Sequence, residues 1–271
     1  MLLGHRKESS MAELITEKGT IYKPETKWTP MAAIFAVAVI LLICLLFIPV
    51  LLNSSCFGLG SIFGFGIADR TVCDAVNPSI VKLIQMCAII ALVWKVAGIG
   101  GGRPVDVLLL HFEKGGIARD IRWASLILVF AFPLAFLWKE VGSSIWGAGN
   151  FARNPNQPHL YVAIVDFITL TTVGPVAEEF LFRGFLLSAL AKSRLGFWPS
   201  AMFSTIAWAL LHFHQPWYAL VSTIIFGLMV SFAIWRTGSL WTCIMTHCLY
   251  NVYPAIFQLA ASIMVLYLKS T

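Results

Sequence analysis

Charge is what this chain has least of. Only 12% of its 271 residues are Asp, Glu, Lys or Arg, while 59% are hydrophobic and the mean hydropathy is +0.82. So little charge excludes a water-soluble domain of this size and predicts a polytopic membrane protein. Acidic residues are missing altogether after Glu179. Any cation or imidazolium in the last third of the chain therefore has to look back to that point for a carboxylate.

Other absences narrow the class. No internal repeat is visible, which weighs against a transporter built from repeated halves. The six cysteines, Cys44, Cys56, Cys73, Cys87, Cys243 and Cys248, form no CxxC pair and no structural-zinc spacing, and HExxH does not occur. Residues 1–30 lack the small-residue cleavage pattern of a signal peptide. The net charge of +6 falls mainly in loops and tails, so it reports topology and implies no nucleic-acid partner.

What is present is a series of apolar runs. Residues 1–30, with Arg6, Lys7, Lys18, Lys23 and Lys27 against four glutamates, read as a cytoplasmic N-terminal tail. Residues 31–52 carry no charge over a length that spans a bilayer. The 53–77 loop has a single base, Arg70, whereas 99–122 has Arg103, Lys114, Arg119 and Arg122. The positive-inside rule places the first loop outside and the second in the cytoplasm. A disulfide between Cys56 and Cys73 would persist in that outer loop.

Further spans are predicted at 78–98, 122–146, 197–213, 217–235 and 239–268, with Pro133 kinking the third span of the chain. The run from Leu160 to Lys192 is too long for one straight span and is predicted to break at Gly174 and Pro175. Pro254 is predicted to divide the last run. The expectation is an all-α transmembrane bundle of seven or eight spans. Residues 31–155 supply its N-terminal helices and 156–271 the part that carries chemistry.

That chemistry centres on residues 177–192, AEEFLFRGFLLSALAK. A charge at the bilayer centre costs at least roughly 2.5–3.5 kcal/mol on insertion scales, so Glu178, Glu179 and Arg183 need partners. Glu179 and Arg183 are four apart in the order that favours an ion pair, and Glu178 is turned away by about 100°. Glu178 is the candidate general base, with Glu179 and Arg183 as its support. A buried ion-pair network that only joins helices is the structural alternative.

Two polar faces follow. Trp208 and His212 are four apart, with His214 pointing to the opposite side, and His247 shares a face with Asn251. Each histidine alone reads as an interhelical hydrogen bond. Together with the glutamates they fit amide hydrolysis. Water held between Glu178 and His212 attacks a carbonyl, and His247 and Asn251 hydrogen-bond the oxyanion. The same groups admit zinc on Glu179, His212 and His247, with the other glutamate activating its water.

The ordered set EExxxR at Glu178–Arg183, WxxxH at Trp208–His212 and HxxxN at His247–Asn251 resembles the CPBP family of intramembrane endopeptidases. That family includes the CAAX prenyl proteases and bacteriocin-processing or self-immunity proteins. The resemblance covers roughly residues 160–255. It implies a helix bundle with a membrane-facing cavity, Glu178 and His212 as the water-activating pair, and His247 and Asn251 at the oxyanion positions. It places Glu179, Arg183 and Trp208 in support, with phenylalanine commoner than Trp208. Members have been described both as metalloproteases and as glutamic-type proteases; the glutamic type, which requires no cofactor, is the expectation here.

The short tail and compact spacing resemble a bacterial member, which implies the inner (cytoplasmic) membrane with a cytoplasmic N-terminus. Substrates would be peptides or proteins with a membrane-embedded or lipidated C-terminal segment. The alternative from another class is a non-catalytic scaffold or regulator that keeps the bundle. Such a protein would be expected to have lost Glu178 or His212, and both are present.

Overall fold

The structure, a computed structural model, describes residues 22–52, 78–99, 102–111, 116–146, 160–213 and 215–270. Among them, the regular structure is entirely helical. The helices are α1 (Pro30–Leu52), α2 (Pro78–Gly98), the short α3 (Pro104–Val107) and α4 (Gly116–Trp146). They continue with α5 (Leu160–Ala191), α6 (Phe197–Leu210), α7 (Trp217–Thr237) and α8 (Leu240–Ser270). The proposed Cys56–Cys73 bridge and His214 lie outside the described residues.

Among the described residues, six helices, α1, α2, α4, α5, α7 and α8, are long and apolar enough to cross a membrane. Large hydrophobic side chains such as Phe35, Val129, Phe136 and Phe257 stand exposed on their outer faces, where a lipid-facing surface belongs. The protein is an integral, multi-pass membrane protein. The predicted 197–213 span is helical only over the 14 residues of α6. It rises about 21 Å, against a hydrocarbon core of roughly 30 Å. Among the described residues, α6 is thus the predicted span that stops short.

The two breaks expected at prolines are absent. Pro254 lies inside a continuous α8. At Gly174 and Pro175, α5 widens into a π-helical turn, Thr169–Val173, and continues. The Gly174 N–H donates to Thr169 O, five residues back. A wide turn accommodates a proline, which offers no amide proton and would crowd the carbonyl four residues back in a regular helix. Glycine suits the position before it because a β-carbon on Gly174 would stand 2.7 Å from Thr169 O.

Helix α5 is the centre of the bundle, packed against α1, α2, α6 and α8. Every residue from Glu179 to Leu190 is buried, as expected for a helix surrounded on all sides. Its far end is fastened by the N-terminal segment. Tyr22 Oη lies 3.2 Å from Ser188 Oγ, Lys192 Nζ donates to Thr26 O at 2.6 Å, and Trp28 packs edge-on to Phe185. Burial pushes the Tyr22 phenol well above its ordinary range.

At the same end, Asp120 of α4 is buried and accepts from Ser239 Oγ and Thr242 Oγ1, each at 2.9 Å. Arg119 Nε is 3.3 Å from the same carboxylate. These bonds tie α4 to the turn between α7 and α8 and to the first turn of α8, where Thr242 stands five residues before His247. The register of α8 against its neighbours is set there.

Candidate active site

The buried face of α5 carries Glu179 and Arg183, one turn apart, and both side chains are fully inaccessible. Arg183 Nη1 donates to Glu179 Oε1 at 3.0 Å, the pairing expected from their spacing. Arg183 Nη2 also reaches Gly227 O of α7 at 3.4 Å, and its guanidinium lies 4.5 Å from the centre of the Trp208 ring. Such a cation over an indole face is attractive, more so where water is excluded.

His247 of α8 completes the set. Its Nδ1 lies 2.8 Å from Glu179 Oε1, the oxygen that Arg183 also holds. A carboxylate only accepts, so Nδ1 is assigned the proton and Nε2 points onward. Nε2 is 3.9 Å from Oε2 of Glu178. The two adjacent glutamates thus meet the two ring nitrogens of one histidine.

Their environments differ sharply. Glu179 has no exposed surface, whereas the side chain of Glu178 is 21% exposed. Glu178 Oε2 accepts from Trp208 Nε1 at 2.6 Å, a bond joining α5 to α6 across thirty residues of sequence. Its Oε1 makes no hydrogen bond to the described residues.

His212 lies in the turn just past the end of α6. Its Nδ1 donates to Trp208 O at 3.2 Å, and its ring stands edge-on to the Trp208 indole with centroids 5.2 Å apart. Asn251, one turn beyond His247, donates from Nδ2 to Leu170 O at 3.0 Å. Leu170 belongs to the π turn of α5, so the wide turn presents a carbonyl that α8 uses. The structure therefore brings Glu178, Glu179, Arg183, Trp208 and His247 into one contact network, with His212 on the same indole and Asn251 fixed to α5.

Gly227 is a site residue that the sequence alone did not single out. A β-carbon there would lie 2.6 Å from Thr205 Cγ2 and 2.8 Å from Arg183 Nη2. Only a glycine lets the α7 backbone approach the guanidinium this closely. An isolated glycine within an apolar helical run was its only trace in the sequence.

Comparison with known proteins locates the same stretch. Residues 160–253 match the family model described as type II CAAX prenyl endopeptidase Rce1-like. The chain is also similar to "Putative membrane peptidase YdiL" of Bacillus subtilis (strain 168), with 23% identity over 216 residues. That similarity covers 65% of this chain and 85% of the relative. No solved structure matches. The resemblance carried by the three motifs is borne out, and the matches support a membrane-embedded peptidase.

Proposed function

We propose that the protein is an intramembrane endopeptidase that cleaves a membrane-associated peptide or protein with a carboxylate-activated water. Glu178 is the base. The observation that carries this is the division of labour between adjacent glutamates. Glu179 is buried and fixed by Arg183 and His247, while Glu178 is partly exposed and keeps Oε1 without a hydrogen-bond partner among the described residues.

In the reaction, Glu178 with His212 takes a proton from water as its oxygen bonds to the carbonyl carbon. The carbonyl π electrons move to oxygen, which becomes an oxyanion. His247, held through Nδ1 by Glu179, donates from Nε2 as an imidazolium, and Asn251 supplies its second amide N–H beside the one given to Leu170. Collapse of the oxyanion breaks the C–N bond. The proton held by Glu178 passes to the leaving nitrogen, giving an amine and a new carboxyl group.

The zinc arrangement on Glu179, His212 and His247 fits the residues less well. Glu179 Oε1 already carries both a guanidinium N–H and an imidazole N–H, and a dication there would face Arg183 at close range. Among the described residues no group of three His, Cys, Asp or Glu side chains is placed to hold a metal. Every step above is accordingly assigned to protein groups.

Substrates would be membrane-associated, since the glutamates lie within a spanning helix, and the family resemblance implies a membrane-embedded or lipidated C-terminal segment on them. The charge of its loops favours an N-terminus in the cytoplasm, and the resemblance to bacterial members favours a bacterial inner membrane. The test is cleavage of membrane-tailed peptides by the purified protein in heavy-oxygen water. Incorporation of one labelled oxygen into the new carboxyl terminus supports hydrolysis. Absence of cleavage across a broad peptide panel would favour the scaffold alternative.

A further inference from the structure

Trp208 meets four of the ionisable groups of the site, Glu178, Arg183, His212 and His247. Its Nε1–H donates to Glu178 Oε2 at 2.6 Å, and its ring face lies 4.5 Å from the Arg183 guanidinium. The rings of His212 and His247 stand edge-on to it, with centroids at 5.2 and 5.5 Å. The indole is itself 2% exposed, so it has little room to reorient.

These contacts close a circuit. Glu178 is bonded to Trp208, Trp208 lies against Arg183, Arg183 pairs with Glu179, Glu179 holds His247, and His247 Nε2 faces Glu178 again. Four members come from α5 and α8. Trp208 is the only one from α6.

We propose that Trp208 is a positioning residue: its indole N–H fixes one oxygen of Glu178 and thereby sets the other, Oε1, as the atom that takes the proton from water. This rests on Glu178 being the base. A carboxylate on a flexible side chain, lodged beside an imidazole, has competing rotamers. A short bond from a buried, rigid donor to an ionised group selects one of them. The cation–π contact adds a second constraint, because the same ring that orients Glu178 also bears on the arginine holding Glu179.

Phenylalanine would keep the ring and lose the donor. Benzothienylalanine, incorporated at position 208, would keep the size and face of the indole and lose only the N–H. If the N–H positions Glu178, both variants lower kcat by about tenfold or more with little change in KM or melting temperature. If Trp208 serves packing alone, benzothienylalanine retains wild-type kcat, and Trp208→Phe loses activity only as far as it loses stability. That outcome overturns the proposal while leaving Glu178 as base, provided that Glu178→Gln is inactive in the same assay.

A second readout does not depend on turnover. In labelled-indole NMR of the full protein in detergent, the Trp208 N–H proton should resonate downfield of the other tryptophans. It should move upfield in Glu178→Ala. A Trp208 resonance unaffected by Glu178→Ala would refute the bond, whatever the substrate.

Discussion

The Nδ1 atom of His247 stands 2.8 Å from Oε1 of Glu179, and through this contact α8 is held to the helix that carries both glutamates. Because Arg183 shares that oxygen, the carboxylate is held from two helices' side chains at once. In the proposed reaction this leaves Glu178, not Glu179, to act on water.

Arg183→Ala should be strongly destabilising. It would strand a fully buried carboxylate that, among the described residues, keeps the imidazole of His247 as its remaining partner. Breaking a buried pair from one side costs about 3–5 kcal/mol. Denaturant or thermal melting in detergent measures this, and a melting curve equal to wild type would show that the pair contributes nothing.

Gly227→Ala should act through Arg183. The new β-carbon meets a threonine methyl and the guanidinium closer than van der Waals contact, and relief requires α7 or Arg183 to move. Overpacking of this kind costs about 1–3 kcal/mol. Cleavage should fall as well, since Arg183 orients Glu179; unchanged stability and turnover would contradict the close approach.

Asp120→Ala should loosen the bundle where α4 meets the turn between α7 and α8. It removes the acceptor of both Ser239 and Thr242; Thr242 keeps Thr237 Oγ1 at 3.0 Å, but the buried Ser239 hydroxyl is left without an acceptor among the described residues. The cost is about 1–3 kcal/mol. Hydrogen exchange of the amides around 237–246 should rise selectively, and exchange matching wild type would remove Asp120 from its assigned place.

In the turn that holds α3, the hydrogen bond from Arg103 keeps the Asp106 carboxyl below the usual carboxylate range. A lowered folded value means that the stabilisation is present above the unfolded value and is lost as pH falls through the folded one. Acid below about pH 4 should therefore loosen the 103–111 turn. Asp106→Asn should abolish that pH dependence in a local probe such as exchange of the Leu108–Leu110 amides.

Much of this was legible in the sequence, for identifiable reasons. Apolar run lengths located the spanning helices, and the four-residue spacing of Glu179 and Arg183 gave their ion pair. What stayed hidden is tertiary. The bond from Trp208 to Glu178 crosses thirty residues, and Asp120 meets Ser239 and Thr242 from more than a hundred residues away. The misread breaks have a local cause. Gly174 with Pro175 is a strong stop signal by composition, but a π turn absorbs both without ending the helix.

The central claim is that Glu178 activates water without a metal. Its most direct measurement is cleavage of a membrane-tailed peptide by the purified protein, by Glu178→Gln, and by wild type treated with a strong zinc chelator, run side by side. The account predicts that Glu178→Gln folds, melts near wild type and does not cleave, while chelated wild type cleaves at its normal rate. Near-normal turnover by Glu178→Gln, or loss under the chelator that added zinc restores, would contradict it.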